Sequence, residues 1–273
     1  MKSLNLGLPP PGSTILALWL AVASGGGWAQ EEFSKATVII EINATDGDAG
    51  FHVLLDADTW KEVRITDPGG RRIFKEQAKG ALVDQGLTEN FFESAEPRCL
   101  PDPEAPDEEV VPLAEFLERF PAGDYLFDGK STDDGVLAGT GELTHSLPAA
   151  PALLTFNGSL ITWAPGIDLG NCHDPALVMD GVIPDPVTVE VVGWEVVVEP
   201  TDDEVADPLR VFRVQLPPDV VSVTVPEAFM DAYFDDGVFE FKVEVGAIEA
   251  SGNQTFSEVE FEVGNGGDDD NGE

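Results

Sequence analysis

The chain has 273 residues, with 52 Asp and Glu against 14 Lys and Arg and a formal net charge of −38 at pH 7. So large an excess of carboxylates repels phosphate backbones and anionic membrane surfaces, which argues against nucleic acid and lipid head groups as partners. Solubility in a salty medium, where repulsion between carboxylates is screened over about 8 to 10 Å, is one explanation of this composition. Binding of divalent cations by some of the carboxylates is the alternative.

The N-terminal residues have the organisation of an export signal. Lys2 provides a positive start, residues 15–23 form an apolar run too short to span a bilayer, and small residues near Ala29 suit a signal peptidase. We therefore predict a signal peptide over residues 1–29 and a mature protein that is secreted or periplasmic. An uncleaved anchor is the alternative, against which the Gly-rich segment after the apolar run argues. Later apolar stretches are interrupted by Asp, Glu, Pro or Gly, so no membrane insertion is expected.

The length that follows the signal peptide suits two domains of ordinary size. Two prolines and small residues at positions 147–151 predict a short connector, because neither a helix nor a central strand accepts this composition. We place an N-terminal domain at residues 30–147 and a second domain at residues 148–263. Residues 264–273 contain no apolar side chain to bury, so we expect a disordered acidic tail there.

Alternation with a period of two dominates the first domain. Short segments rich in β-branched and aromatic residues, separated by Asp-Gly, Asp-Pro and Gly-Gly turns, predict antiparallel strands at residues 37–42, 51–55, 60–65, 71–74, 124–127 and 139–144. Residues 88–93 and 112–120 have helical patterns instead, and Pro112 suits the first turn of the second of these. The acidic, proline-rich residues 95–106 are predicted to form a surface loop. We expect a β-sandwich with one short helix.

One turn of the first domain carries alternating carboxylates and glycines. Asp46 and Asp48 lie in it, and Asp56 and Asp58 are predicted one strand later, so that oxygen ligands could converge at one end of the sheet as calcium requires. The pattern is not an EF-hand, since Ala57 stands where the bidentate Glu belongs. The simpler interpretation, which the sequence favours, is an Asp-Gly hairpin turn with solvated acids. No cofactor is otherwise expected, and calcium is left open.

Four segments of the second half appear in an informative order. Residues 160–165 contain Trp163, residues 192–199 contain Trp194, and two further apolar segments follow at residues 221–226 and 239–253. Taken as an ordered set over about residues 151–263, they resemble the second, third, pre-corner and sixth strands of a fibronectin type III domain. The resemblance implies a β-sandwich with both tryptophans in its core. Family members are mostly spacers or binding modules, so it implies no enzymatic activity.

The second half departs from the family pattern in two respects. Phe239 or Phe241 stands where the family has a corner tyrosine, so the hydroxyl bond of that corner is expected to be missing. The stretch between the two tryptophans is also longer than usual. Its loop at residues 166–186 is our candidate binding surface, because long loops inside compact domains are often functional. Its chemistry-bearing side chains are Asp168, Cys172, His173, Asp174, Asp180 and Asp185.

Motifs for catalysis are missing from the sequence. The three histidines are His52, His145 and His173; no His-Glu-x-x-His or Gly-x-Ser-x-Gly occurs. His52 falls in a predicted strand and is interpreted as a half-exposed structural residue. Carboxylate pairs that could hydrolyse glycosides are too numerous to discriminate among in so acidic a chain.

The only two cysteines, Cys99 and Cys172, fall one in each predicted domain. In an oxidising compartment an even count favours a disulfide, and we predict that these two residues pair. Two free or intermolecularly paired thiols are the alternative. Such a bond would fix the two domains against each other near the long loop.

The sequence therefore predicts an all-β protein of two β-sandwich domains, the second similar to fibronectin type III. As function it favours a secreted, non-catalytic binding or structural module for an unknown extracellular protein or polysaccharide. A calcium-binding adhesion or accessory protein is the first alternative, and an enzyme acting on extracellular polymers is the second.

Overall fold

The computed structural model describes residues 30–103, 106, 109–201 and 209–263. The predicted signal peptide and the predicted acidic tail lie outside these residues. The described part of the chain contains no helix long and apolar enough to cross a membrane. It is an all-β protein with four short α-helices, which confirms the predicted fold class.

The elements follow one another mostly as short strands. The strands are β1 (Gln30–Glu32), β2 (Lys35–Asn43), β3 (Asp48–Trp60), β4 (Glu62–Thr66), β5 (Arg72–Gln77), β6 (Leu87–Glu93), β7 (Gly123–Lys130), β8 (Val136–Leu143), β9 (Ala152–Phe156), β10 (Leu160–Ala164), β11 (Val191–Pro200), β12 (Phe212–Leu216), β13 (Ser222–Thr224), β14 (Glu240–Glu249) and β15 (Gln254–Glu262). The helices are α1 (Leu82–Gln85), α2 (Leu113–Arg119), α3 (Pro175–Met179) and α4 (Glu227–Phe234).

Three sheets organise these strands. A five-stranded sheet has the order β1-β8-β7-β4-β5, a three-stranded sheet has the order β13-β10-β9, and a seven-stranded sheet has the order β12-β11-β14-β15-β2-β3-β6. The seven-stranded sheet contains strands from both halves of the chain. They join where β15 pairs in parallel with β2, from Gln254 opposite Glu41 to Phe256 opposite Asn43.

The first hydrophobic core lies between the five-stranded sheet and the β2–β3 part of the seven-stranded sheet. Phe51 of β3 packs against Tyr125 of β7 with ring centroids 5.7 Å apart, and Phe116 of α2 is buried in the same cluster. The Tyr125 hydroxyl donates a hydrogen bond of 3.1 Å to the carbonyl of Pro121, four residues upstream. A bond of this kind is typical of a tyrosine corner.

The second core lies between the three-stranded sheet and the β11–β14 part of the seven-stranded sheet. Trp163 and Trp194 meet edge to face there at 6.0 Å between centroids, as predicted from the sequence. Phe241 is fully buried near the position where the family has its corner tyrosine, and a different tyrosine makes a hydroxyl bond to the backbone in this half. Tyr233 of α4 is fully buried, and its hydroxyl bonds the backbone of Arg210, both accepting from the amide at 2.9 Å and donating to the carbonyl.

The predicted helix at residues 88–93 is wrong, since this segment is strand β6. It pairs with β3, and Phe92 stacks on Phe74 with ring centroids 4.3 Å apart. Cross-strand hydrogen bonds and this aromatic contact outweigh a weak local preference for helix. The other predicted helix is confirmed as α2.

The long segment between β10 and β11 folds back onto the first core. Leu169, Leu177 and Ile183 are buried in that core, and Cys172 forms the predicted disulfide with Cys99, with 5.1 Å between their Cα atoms. The two halves are therefore connected by the β15–β2 pairing, by this segment and by a covalent bond. The boundary between two domains after residue 147 stays a prediction.

Candidate functional site

Strand alternation gives the seven-stranded sheet one apolar face and one charged face. In β3, Ala49, Phe51 and Val53 point into the first core, so Asp48 and His52 lie on the opposite face. The register of the neighbouring strands extends this outer face over both halves of the chain. We call it the acidic face, and its strand carboxylates include Glu41, Asp48, Glu93, Glu195, Glu199, Glu244 and Glu258.

Few cations balance these carboxylates. The Lys242 ammonium lies 2.9 Å from Glu199, 3.0 Å from Glu244 and 3.9 Å from Glu258. Burial alone would lower the pKa of this lysine, but the hydrogen bonds and charges of Glu199 and Glu244 outweigh burial and raise it. The Arg213 guanidinium lies 3.6 Å from Glu195. The surplus of negative charge makes this face suited to attracting cations.

His52 lies at the centre of the densest group of acids on this face. It is 5 % exposed, so the predicted half-exposed position is wrong. Its Nδ1 atom lies 3.8 Å from a Glu41 oxygen, and its Nε2 atom lies 3.3 Å from Glu96 and 3.8 Å from Glu93. The long carboxylate side chains on the neighbouring strands surround the imidazole and remove it from water.

Three elements position these side chains. Glu41 lies on β2 opposite Gly50, Glu93 lies on β6 directly opposite His52, and Glu96 follows in the loop after β6. A Cβ atom at Gly50 would lie 2.5 Å from the Glu96 Oε1 atom and 2.8 Å from the His52 Nε2 atom, so a larger residue there would displace these side-chain ends.

The crowding of acids changes how they ionise. Burial raises the pKa of Glu41 to about 7; the charge of His52 opposes this shift and that of Glu96 adds to it. Burial, with the charges of Glu96 and Asp46, also raises the pKa of Asp48 to about 7. For His52, burial alone lowers the pKa, but the hydrogen bond to Glu96 and the charge of Glu41 outweigh it, so its pKa is raised.

The four predicted calcium ligands are not brought together. Asp56 and Asp58 lie on the same strand as Asp48, because β3 continues without interruption to Trp60. Eight residues of extended strand separate Asp48 from Asp56 by roughly 26 Å. The Asp-Gly turn therefore leads into one long strand, and not into the short strand and second turn that the prediction requires.

Asp46 and Asp48 remain beside each other at the end of the acidic face. They line an open depression of about 440 Å³ together with Glu96, Arg98 and Glu109. Asp46 also accepts a hydrogen bond of 2.9 Å from the Asn43 side chain. Carboxylate oxygens of the kind that a hard cation prefers therefore line this depression, together with the Arg98 side chain.

The acids of the predicted binding loop have local structural roles. Asp168 accepts a hydrogen bond from the Gly170 amide, and Asp174 caps α3 by accepting one from the Ala176 amide, each at 2.9 Å. Asp180 ends α3 and is exposed, whereas His173 is half-buried. A ligand for this loop stays a prediction.

The sequence analysis missed Glu41 and Glu96 as site residues. Glu41 appears in the sequence as one polar position of an alternating strand, and Glu96 as one acid of a surface loop. Only the register of β2, β3 and β6 places both beside His52. A histidine inside an alternating strand of a very acidic chain was the one available signal.

Comparisons with known proteins found matches among solved structures. No protein-family model matches the chain, and no curated protein matches it. Among solved structures the chain is similar to a two-domain fibronectin type III segment of chicken tenascin, with 8 % identity over 85 % of this chain and 99 % of that chain and a TM-score of 0.27.

Two bacterial proteins show comparable similarity. A 1.5-MDa ice-binding adhesin matches with 12 % identity over 86 % of this chain and 64 % of its own, at a TM-score of 0.23. Tp47, the 47-kilodalton lipoprotein of Treponema pallidum, matches with 14 % identity over 86 % of this chain and 52 % of its own, at a TM-score of 0.31. The present chain thus spans only part of the length of both. At TM-scores of 0.23 to 0.31 these similarities carry no conclusion about the function of this chain.

Proposed function

We propose that the mature protein is an exported, non-catalytic binding module and that the acidic face is its binding surface. The observation that supports this proposal is the concentration of carboxylates from both halves on one continuous sheet. Charge complementarity favours a ligand with ammonium or guanidinium groups, such as a basic segment of an extracellular protein. A polysaccharide remains the alternative ligand, and an anionic one would need a bridging cation.

The architecture supports this role because it holds the binding surface rigid. The β15–β2 pairing fixes the two parts of the sheet, and the Cys99–Cys172 bond fixes the long segment against the first core. A preformed surface loses little conformational entropy on binding. An enzyme acting on extracellular polymers has less support, since the depression beside Asp48 is open to solvent and does not enclose a substrate.

The binding surface can be tested by removing charge from it. We expect Glu244→Gln with Glu258→Gln to weaken binding of the mature protein to an oligolysine peptide, and its retention on its own cell-envelope fraction, several-fold. Glu115→Gln with Glu118→Gln removes the same charge from exposed positions of α2 and should change both by less than about twofold. Equal effects of the two double variants would show that net charge, and not this face, determines binding.

A calcium-binding accessory role is the second candidate, supported by the oxygen-rich depression at Asp46 and Asp48. Calcium is then expected to raise the melting temperature beyond the effect of sodium chloride at equal ionic strength, and Asp46→Ala with Asp48→Ala to abolish that excess. Asp56→Ala with Asp58→Ala, at the far end of β3, is the matched control. The site is wrong if the excess survives in the first pair.

A further inference from the structure

We propose that Glu41, His52 and Glu96 bind a divalent transition metal ion of the zinc class through one imidazole nitrogen and two carboxylate oxygens. One ligand atom from each residue lies within 4.8 Å of the other two. Zinc takes histidine nitrogen and carboxylate oxygen at about 2.0 to 2.2 Å, which places tetrahedral ligand atoms roughly 3.4 Å apart. The His52 Nε2 atom and a Glu96 oxygen are already 3.3 Å apart, whereas the Glu41 oxygen lies 3.8 Å from Nδ1, the other ring nitrogen, so the Glu41 side chain has to turn toward Nε2 to complete the set.

The site is preorganised by the sheet. His52 is buried, its ring is held edge-on to Phe91 with centroids 5.8 Å apart, and β3 fixes its backbone between β2 and β6. The loop that carries Glu96 is tied to β3, because the Phe51 amide donates to the Ser94 hydroxyl at 3.0 Å and the Ser94 amide donates to the Phe51 carbonyl at 2.9 Å. The missing side chain of Gly50 leaves the space in which the imidazole and the Glu96 carboxylate converge.

The charge around His52 favours a cation. Glu41, Glu93 and Glu96 each place an oxygen within 3.8 Å of the ring, and Asp48 adds a negative charge that acts on Glu96. The neighbouring cations have other contacts: Lys242 binds Glu199 and Glu244, and Arg98 binds Asp102 at 3.2 Å. A divalent ion at His52 would neutralise repulsion that the protein's own side chains leave in place.

The ligand types distinguish this site from the calcium site considered above. Imidazole nitrogen suits zinc, copper and nickel, whereas calcium and magnesium require oxygen ligands in larger number. Three protein ligands leave a coordination position for water or for a donor atom of a partner. Binding of a metal ion at His52 requires no macromolecular partner, so it is independent of the function proposed above.

The site is tested by titrating the chelator-treated mature protein with Zn²⁺ at neutral pH and measuring the affinity by calorimetry. We expect one tight site, and at least about a tenfold loss of affinity in His52→Ala and in Glu96→Gln, because even outer-shell partners of a metal are worth about 10- to 100-fold. His173→Ala removes a histidine elsewhere and should leave the affinity unchanged. Asp46→Ala with Asp48→Ala should retain the site within about threefold.

Further measurements distinguish the loss of a metal ligand from misfolding of the variants. Glu96 is 39 % exposed on a loop, so Glu96→Gln should fold normally, which melting in chelator verifies. The Co²⁺ form should show visible ligand-field absorption that His52→Ala loses. The proposal is overturned if Zn²⁺ binds equally well to His52→Ala and Glu96→Gln, or binds no more tightly than Mg²⁺. Oligolysine binding is measured separately in chelator. It tests the acidic face as a binding surface without any contribution from a metal ion, so failure of the metal site and failure of the binding surface can be told apart.

Discussion

Replacing Cys99 and Cys172 together by alanine is expected to lower the free energy of unfolding by roughly 4 kcal/mol. The bond joins residues 73 positions apart, and in the chain-entropy model a loop of that length accounts for this loss. Both cysteines are buried in the first core, so the truncated side chains also lose packing. For a protein of this size the melting temperature should fall by about 10 °C.

Urea unfolding followed by tryptophan fluorescence measures this loss, and reduction provides its internal control. A thiol reductant should destabilise the wild-type protein and leave the double alanine variant unchanged. A loss below about 1 kcal/mol would contradict the expected role of the bond. So would a non-reducing digest that yields the two cysteines in unlinked peptides.

The second large expected effect is that of pH on the stability of the folded protein. In chelator, the free energy of unfolding is expected to fall by several kcal/mol between pH 5 and pH 8, with about 5 kcal/mol as the upper limit from Glu41 and Asp48 titrating independently. Burial raises the pKa of Glu41 from 4.5 to about 7, so in this range the folded protein retains a proton that the unfolded chain has released. Asp48 behaves in the same way. Unfolding therefore releases protons, and stability decreases as the pH rises.

His52 adds to the same trend. Its raised pKa means that the folded state keeps the imidazolium at a pH where the unfolded chain has lost it, so this contribution is present in acid and disappears as the pH rises through the folded value. Glu41→Gln removes one buried carboxylate and should be more stable than wild type at pH 8 by about 1 kcal/mol, with a shallower pH dependence. Glu115→Gln, at an exposed helix position, is the control. An unchanged slope in Glu41→Gln would refute the assignment.

The sequence by itself determined the elements whose causes are local. Alternation and turn residues predicted β2, β4 and β7, the resemblance to fibronectin type III predicted β14, and the spacing of Leu113, Phe116 and Leu117 predicted α2. Local patterns suffice there because side-chain direction in a strand or helix follows from the chain's own geometry. The cysteine pair was also predictable, since each cysteine had a single partner available.

Only the tertiary structure decided which strands become neighbours. The pairing of β15 with β2 joins the two halves in one sheet, and the packing of β6 against β3 overrides the helical pattern of residues 88–93. The same register brings Glu41 and Glu96 to His52 and carries Asp56 away from Asp48 along β3. Register depends on contacts between residues far apart in the chain, which no local pattern encodes, so the acids could be counted from the sequence but not placed.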